Sequence, residues 1–118
     1  MAMGKRILLV DDHTELRETV RRLLSEDQHT VVEANNGAEA LGLFKCDRFD
    51  LVMTDYKMPF LMGNELAARI KQMAPGQPIL MITGYGQKLG PHNPVNAILY
   101  KPFGASGLRE AIATVLAG

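Results

Sequence analysis

Cysteine is almost missing from this chain of 118 residues. Cys46 stands alone, which excludes an internal disulfide and any zinc site built on several thiolates. It reads as a helix-end residue with no chemical role. Net charge is missing as well: thirteen basic residues cancel thirteen acidic ones, so charge alone suggests neither a nucleic-acid surface nor an anionic membrane as partner. No apolar run approaches the ~20 residues of a membrane span, and residues 1–4 are far too short for a signal peptide. A cytoplasmic protein is expected. What is present is a hydrophobic content of 47%, which suits the core of one compact domain, placed here at residues 5–117.

Against that balanced background, residues 6–16 (RILLVDDHTEL) are locally odd. Ile7, Leu8, Leu9 and Val10 read as a strand buried on both faces, yet the run ends in adjacent carboxylates, Asp11 and Asp12. A helix should follow, because Leu16, Val20, Leu23 and Leu24 recur at helical spacing while Glu15, Arg17, Glu18, Arg21 and Arg22 fill the other face. Thr14 or Asp12 is placed to cap it. Residues 30–34 (TVVEA) form a second strand, and Asn35, Asn36 and Gly37 turn into a helix carrying Ala40, Leu41 and Phe44. A third strand at 49–54 delivers Asp55, Met58 and Pro59 open a loop, and Leu66, Ile70 and Met73 mark a helix ended by Pro75 and Gly76. Strands at 78–82 and 95–100 deliver Thr83 and Lys101, and Leu108, Ile112, Val115 and Leu116 mark a final helix.

Strands alternating with helices imply a doubly wound α/β fold, with a five-stranded parallel sheet covered on both faces. Such sheets bind ligands at the carboxyl ends of their strands, the edge where Asp11, Asp12, Asp55, Thr83 and Lys101 should all emerge. Any one of them would pass for a turn former, a helix cap or a strand-end cation. Together they make a site. Three converging carboxylates would hold about three negative charges, which calls for protons or a cation, and ligation by oxygen alone suits Mg²⁺. The Lys101 ammonium and the Thr83 hydroxyl add donors for anionic oxygens, so a phosphoryl group fits, with Asp55 as nucleophile forming an aspartyl phosphate. His13, His29 and His92 are dispersed over different elements and form no ligand set.

These residues carry a resemblance to a known family. With LLVDD at residues 8–12, DLVMTDYKMP at 50–59 followed by Gly63, ITG at 82–84 and YKPF at 100–103, the chain resembles the receiver domains of two-component response regulators over residues 6–116. The resemblance implies the flavodoxin-like receiver fold and a phosphoacceptor switch rather than an enzyme acting on a separate substrate. It implies phosphorylation of Asp55 by the phosphohistidine of a histidine kinase or histidine phosphotransfer protein, followed by a change in the surface offered to an output partner. It further implies that Asp12, Asp55 and the carbonyl of Lys57 bind Mg²⁺ directly and Asp11 mostly through water, that Thr83 and Lys101 contact the phosphoryl oxygens, and that the Lys101–Pro102 bond is cis. ITGYG followed by YKPF is similar to receivers attached to hybrid histidine kinases.

Most departures from the family pattern fall in one region, residues 83–101. Ile98 occupies the place of the usual aromatic switch residue, and Tyr100 should point to the opposite face from Leu99. The segment from Thr83 to Lys101 is short and holds Gly84, Gly86, Gly90, Pro91 and Pro94, so the family's fourth helix is expected to be shortened or irregular. Ile98 is expected to stay inward while the backbone of residues 84–94 carries the response. Met62, where the family commonly has an acid or amide, reads as a packing residue. Two rival readings remain open. One is a small phosphohydrolase with an aspartyl-phosphate intermediate, although Lys57 stands where such enzymes need a second acid. The other is a degenerate receiver that only binds.

Overall fold

Runs of branched aliphatic residues form the strands, and amphipathic stretches form the helices between them. The structure, a computed structural model, describes residues 4–84 and 94–117. In chain order they form β1 (Arg6–Val10), α1 (Thr14–Glu26), β2 (Thr30–Ala34), α2 (Gly37–Cys46), β3 (Leu51–Asp55), α3 (Gly63–Met73), β4 (Ile79–Thr83), β5 (Ala97–Tyr100) and α4 (Ala105–Ala117). The sheet order is β2-β1-β3-β4-β5 and every pair is parallel. Register aligns the strand ends: Val10 faces Ala34 and Thr54, Asp55 faces Ile82, and Thr83 faces Tyr100. Whatever leaves these ends therefore leaves along one edge.

Alternation along the strands divides the core into two layers. Leu8, Val10, Val52 and Ile79 pack with Leu66, Ala67 and Ile70 of α3 and with α2. Ile7, Leu9, Met53, Leu80 and Ile82 pack with Val20 and Leu24 of α1 and with Leu108, Ile112 and Val115 of α4. A fully buried aliphatic side chain contributes about 1.5–3 kcal/mol, so these two layers hold the sheet edge in place. Phe49 precedes β3 and stacks on Phe44 at 6.4 Å between ring centres.

The helix starts differ from one another. In α2, Asn36 accepts the Glu39 N–H at 2.8 Å while Glu39 accepts the Asn35 N–H at 3.0 Å, a reciprocal cap. In α1, neither Asp12 nor Thr14 caps, contrary to expectation: His13 is the N-cap residue and makes no side-chain cap bond. The local acceptor is Asp11, whose Oδ1 takes the His13 N–H at 2.8 Å and leaves Thr14 as the first helical residue. The last strand starts at Ala97 rather than at residue 95. Asn96 explains the delay, because its Oδ1 accepts the Ile79 N–H at 2.9 Å and the Lys71 ammonium at 2.8 Å. The expected irregular fourth helix falls on residues 85–93, outside the described residues.

Candidate functional site

The strand order reverses direction between β1 and β3, and the carboxyl ends beside that point are where open α/β sheets bind ligands. Asp11 and Asp12 follow β1, Asp55 closes β3, Thr83 closes β4 and Lys101 follows β5, so five of the six expected site residues leave strand ends on this edge, and Lys57 follows in the loop after β3. A carboxylate oxygen from each of Asp11, Asp12 and Asp55 lies within 4.8 Å of the others. The Lys101 ammonium is 3.4 Å from Asp55 Oδ1. Thr83 is buried beside it, and its carbonyl accepts the Lys101 N–H at 2.8 Å. The Lys101–Pro102 peptide bond is cis.

The environment separates the three acids. Asp11 is only 4% exposed, and burial pushes its carboxyl above the usual range; the His13 N–H opposes that, Asp55 adds to it, Lys101 opposes it and Asp12 adds to it. Asp12 is exposed and Asp55 half-buried. Among the described residues a single lysine stands against three clustered carboxylates, which leaves an excess of negative charge, and the donors are all oxygen, so a hard divalent cation fits the residues present.

Several residues outside the acid set hold it in shape. Thr54, fully buried, donates its hydroxyl to the Asp55 carbonyl at 2.9 Å. Asp55 Oδ1 accepts the Tyr56 N–H at 2.8 Å. Gly63 sits so close that a Cβ there would lie 2.0 Å from the Asp55 carbonyl oxygen, and its N–H donates to the Tyr56 carbonyl at 2.7 Å. Arg17, placed by pattern on the polar face of its helix, turns inward and donates to the Asp11 carbonyl at 2.7 Å and to Glu33 at 3.0 Å. Thr54 and Arg17 carry no sequence signal for these roles, because threonine suits any strand and arginine any exposed helix face.

Other expected features lie off the acid cluster. The Lys57 side chain is exposed, leaving only its carbonyl as a possible contributor. Met62 is half-buried at the N-cap position of α3. Cys46 is the exposed last residue of α2. His29 Nδ1 accepts the Lys5 N–H at 2.9 Å, His13 is exposed, and His92 lies outside the described residues. Ile98 is half-buried, Leu99 packs into the layer of α1 and α4, and Tyr100 is exposed, as the alternation of β5 requires. No helix among the described residues is long and apolar enough to cross a membrane.

Comparison with known proteins gives a consistent result. The family model for the response regulator receiver domain matches residues 7–113. Chemotaxis protein CheY of Halobacterium salinarum is 37% identical over 97% of this chain and 98% of its own. Response regulator MprA of Mycobacterium ulcerans is 41% identical over 69% of this chain, but the match spans only 35% of that longer protein. Among solved structures, response regulator protein TrrA of Thermotoga maritima in complex with Mg²⁺ and BeF superposes with a TM-score of 0.89 at 31% identity, covering 94% of this chain and 98% of that one.

Proposed function

The chain belongs to the response regulator receiver family and has its flavodoxin-like fold, and from that premise we propose that Asp55 is the phosphoacceptor of a two-component switch. One observation carries the assignment: Asp55 ends β3 at the shared strand edge, with Lys101 3.4 Å from its carboxylate and carboxylate oxygens of Asp11 and Asp12 within 4.8 Å. In the reaction, an Asp55 carboxylate oxygen attacks the phosphorus of a partner's phosphohistidine. The O–P bond forms as the N–P bond of the phosphohistidine, protonated on its other ring nitrogen, breaks with its electron pair going to nitrogen, leaving an aspartyl phosphate and a neutral imidazole. Lys101 holds the carboxylate in place and then pairs with a phosphoryl oxygen, and the Thr83 hydroxyl donates to another. Asp11, Asp12, Asp55 and the Lys57 carbonyl would hold Mg²⁺, which when bound offsets the charge of the phosphoryl oxygens. That TrrA was captured with Mg²⁺ and BeF supports this reading.

The domain so defined spans residues 5–117, and its phosphodonor is a histidine kinase or a histidine phosphotransfer protein. It catalyses its own phosphorylation and dephosphorylation only. A cytoplasmic location belongs to the same reading, and the exposed free thiol of Cys46 fits a reducing compartment. Incubation with acetyl phosphate and Mg²⁺ tests the assignment by intact mass. One hydroxylamine-labile phosphate is expected on the parent protein and none on Asp55→Asn. Label retained by Asp55→Asn would move the acceptor elsewhere.

A further inference from the structure

Beside the loop that follows Asp55, a shallow groove of about 330 Å³ is lined by Ala38, Leu41 and Gly42 of α2, by Phe60 and Leu61 of the β3–α3 loop, and by Lys45 and Arg69. Three local choices that ordinarily disfavour a fold meet here. Phe60 is 88% exposed, the most exposed of the large hydrophobic side chains among the described residues. It also adopts φ of 71°, a region bulky side chains avoid, in a tight turn closed by the Leu61 N–H on the Pro59 carbonyl at 2.8 Å. Gly42 lies mid-helix, and a Cβ there would meet nothing within 4 Å, so no packing inside the molecule requires a glycine. A single exposed aromatic residue is unremarkable, but convergence of such choices on one groove is the mark of a functional surface.

The charges say what the groove takes. Among the described residues Lys5, Lys45, Arg48, Lys57, Arg69 and Lys71 enter no ion pair, and of these Lys45 and Arg69 line the groove. An apolar lining that carries two unpaired cations is complementary to a segment with an apolar stripe and carboxylates beside it. The bare backbone at Gly42 lets a helix approach α2 closely. Two cations are too few for a membrane surface, which calls for a cluster of about 4–8.

We propose that the α2–α3 groove, with Phe60 as its aromatic anchor, docks an acidic amphipathic helix of a partner protein. None of the lining residues belongs to the acid set, so the proposal does not depend on the phosphoacceptor assignment and Asp55→Asn should retain the binding. The test is a titration of the isotopically labelled full chain with a stapled helical peptide bearing leucines at i and i+4 flanked by glutamates, against the same peptide with lysines in place of the glutamates. Amide shifts are expected at Leu41, Gly42, Leu61 and Arg69, with the lysine peptide about tenfold weaker or worse. Phe60→Gly relieves the backbone and should raise the melting temperature, yet it should weaken peptide binding about tenfold or more. That split is one a merely structural phenylalanine would not produce. Absence of groove shifts with the glutamate peptide, equal binding of the two peptides, unchanged affinity in Phe60→Gly, or stronger perturbation of the same amides by anionic phosphatidylserine vesicles would each overturn the proposal.

Discussion

Gly63 shows how one residue fixes the turn that carries the proposed acceptor. A Cβ at this position would sit 2.0 Å from the carbonyl oxygen of Asp55, so an added methyl must push either α3 or the end of β3 aside. Gly63→Ala is expected to cost about 1–3 kcal/mol, read as a fall in urea midpoint with an unchanged slope. An unaltered midpoint would mean the turn gives way freely. Thr54 acts on the same carbonyl from inside the core, through its hydroxyl at 2.9 Å. Thr54→Val keeps the volume but leaves that buried oxygen without this donor, so a loss of about 1–2 kcal/mol and slower uptake of phosphate from acetyl phosphate are expected. Equal rates in parent and Thr54→Val protein would confine Thr54 to packing. Gly63 could be singled out in the sequence because it follows the DLVMTDYKMP stretch, whereas Thr54 could not, since its role rests on a bond invisible to pattern.

The elements were legible to the extent that periodicity and burial agree. β1, β3 and β4 are buried on both faces and stand within a residue or two of the apolar runs that announced them. β5 was less legible, because Val95 and Asn96 read as strand while Asn96 instead spends its side chain holding the start of β4. Its Oδ1 gathers the Ile79 N–H and the Lys71 ammonium, and Lys71 also reaches the Gln77 carbonyl at 2.6 Å, so one amide ties α3, β4 and β5 together. Asn96→Ala strips the Ile79 N–H of that acceptor and leaves Lys71, whose ammonium burial already disfavours, with one partner fewer. A loss of about 1–2 kcal/mol is expected, with hydrogen exchange rising first at Ile79 and in the last turn of α3. Exchange that rises evenly across the sheet would show that this junction is not a local unit. Of the α1 cap, only the need for an acceptor was legible; which of several neighbouring oxygens supplies it depends on the turn geometry at Asp11.

At the scale of the whole molecule, the acid cluster is a stability cost that a cation should remove. Three carboxylates meet within 4.8 Å, one of them almost wholly buried, and among the described residues only the Lys101 ammonium pairs with one of them. An ion that binds the folded site and not the unfolded chain stabilises by linkage, about 1.4 kcal/mol at ten times its dissociation constant. For a domain of 118 residues this amounts to a rise in melting temperature of roughly 6 °C. Asp11→Asn should act in the opposite sense on each measure. The amide oxygen can still accept the His13 N–H while the buried charge is gone, so the metal-free variant should be more stable than the parent by about 1 kcal/mol. The same change removes a carboxylate from the ligand set, so its response to Mg²⁺ should shrink. Thermal melts of the two proteins with and without millimolar Mg²⁺ decide the matter. A variant that melts lower than the parent without metal, or that gains as much from Mg²⁺ as the parent does, would show that the cluster is not held against its own repulsion for the sake of a cation.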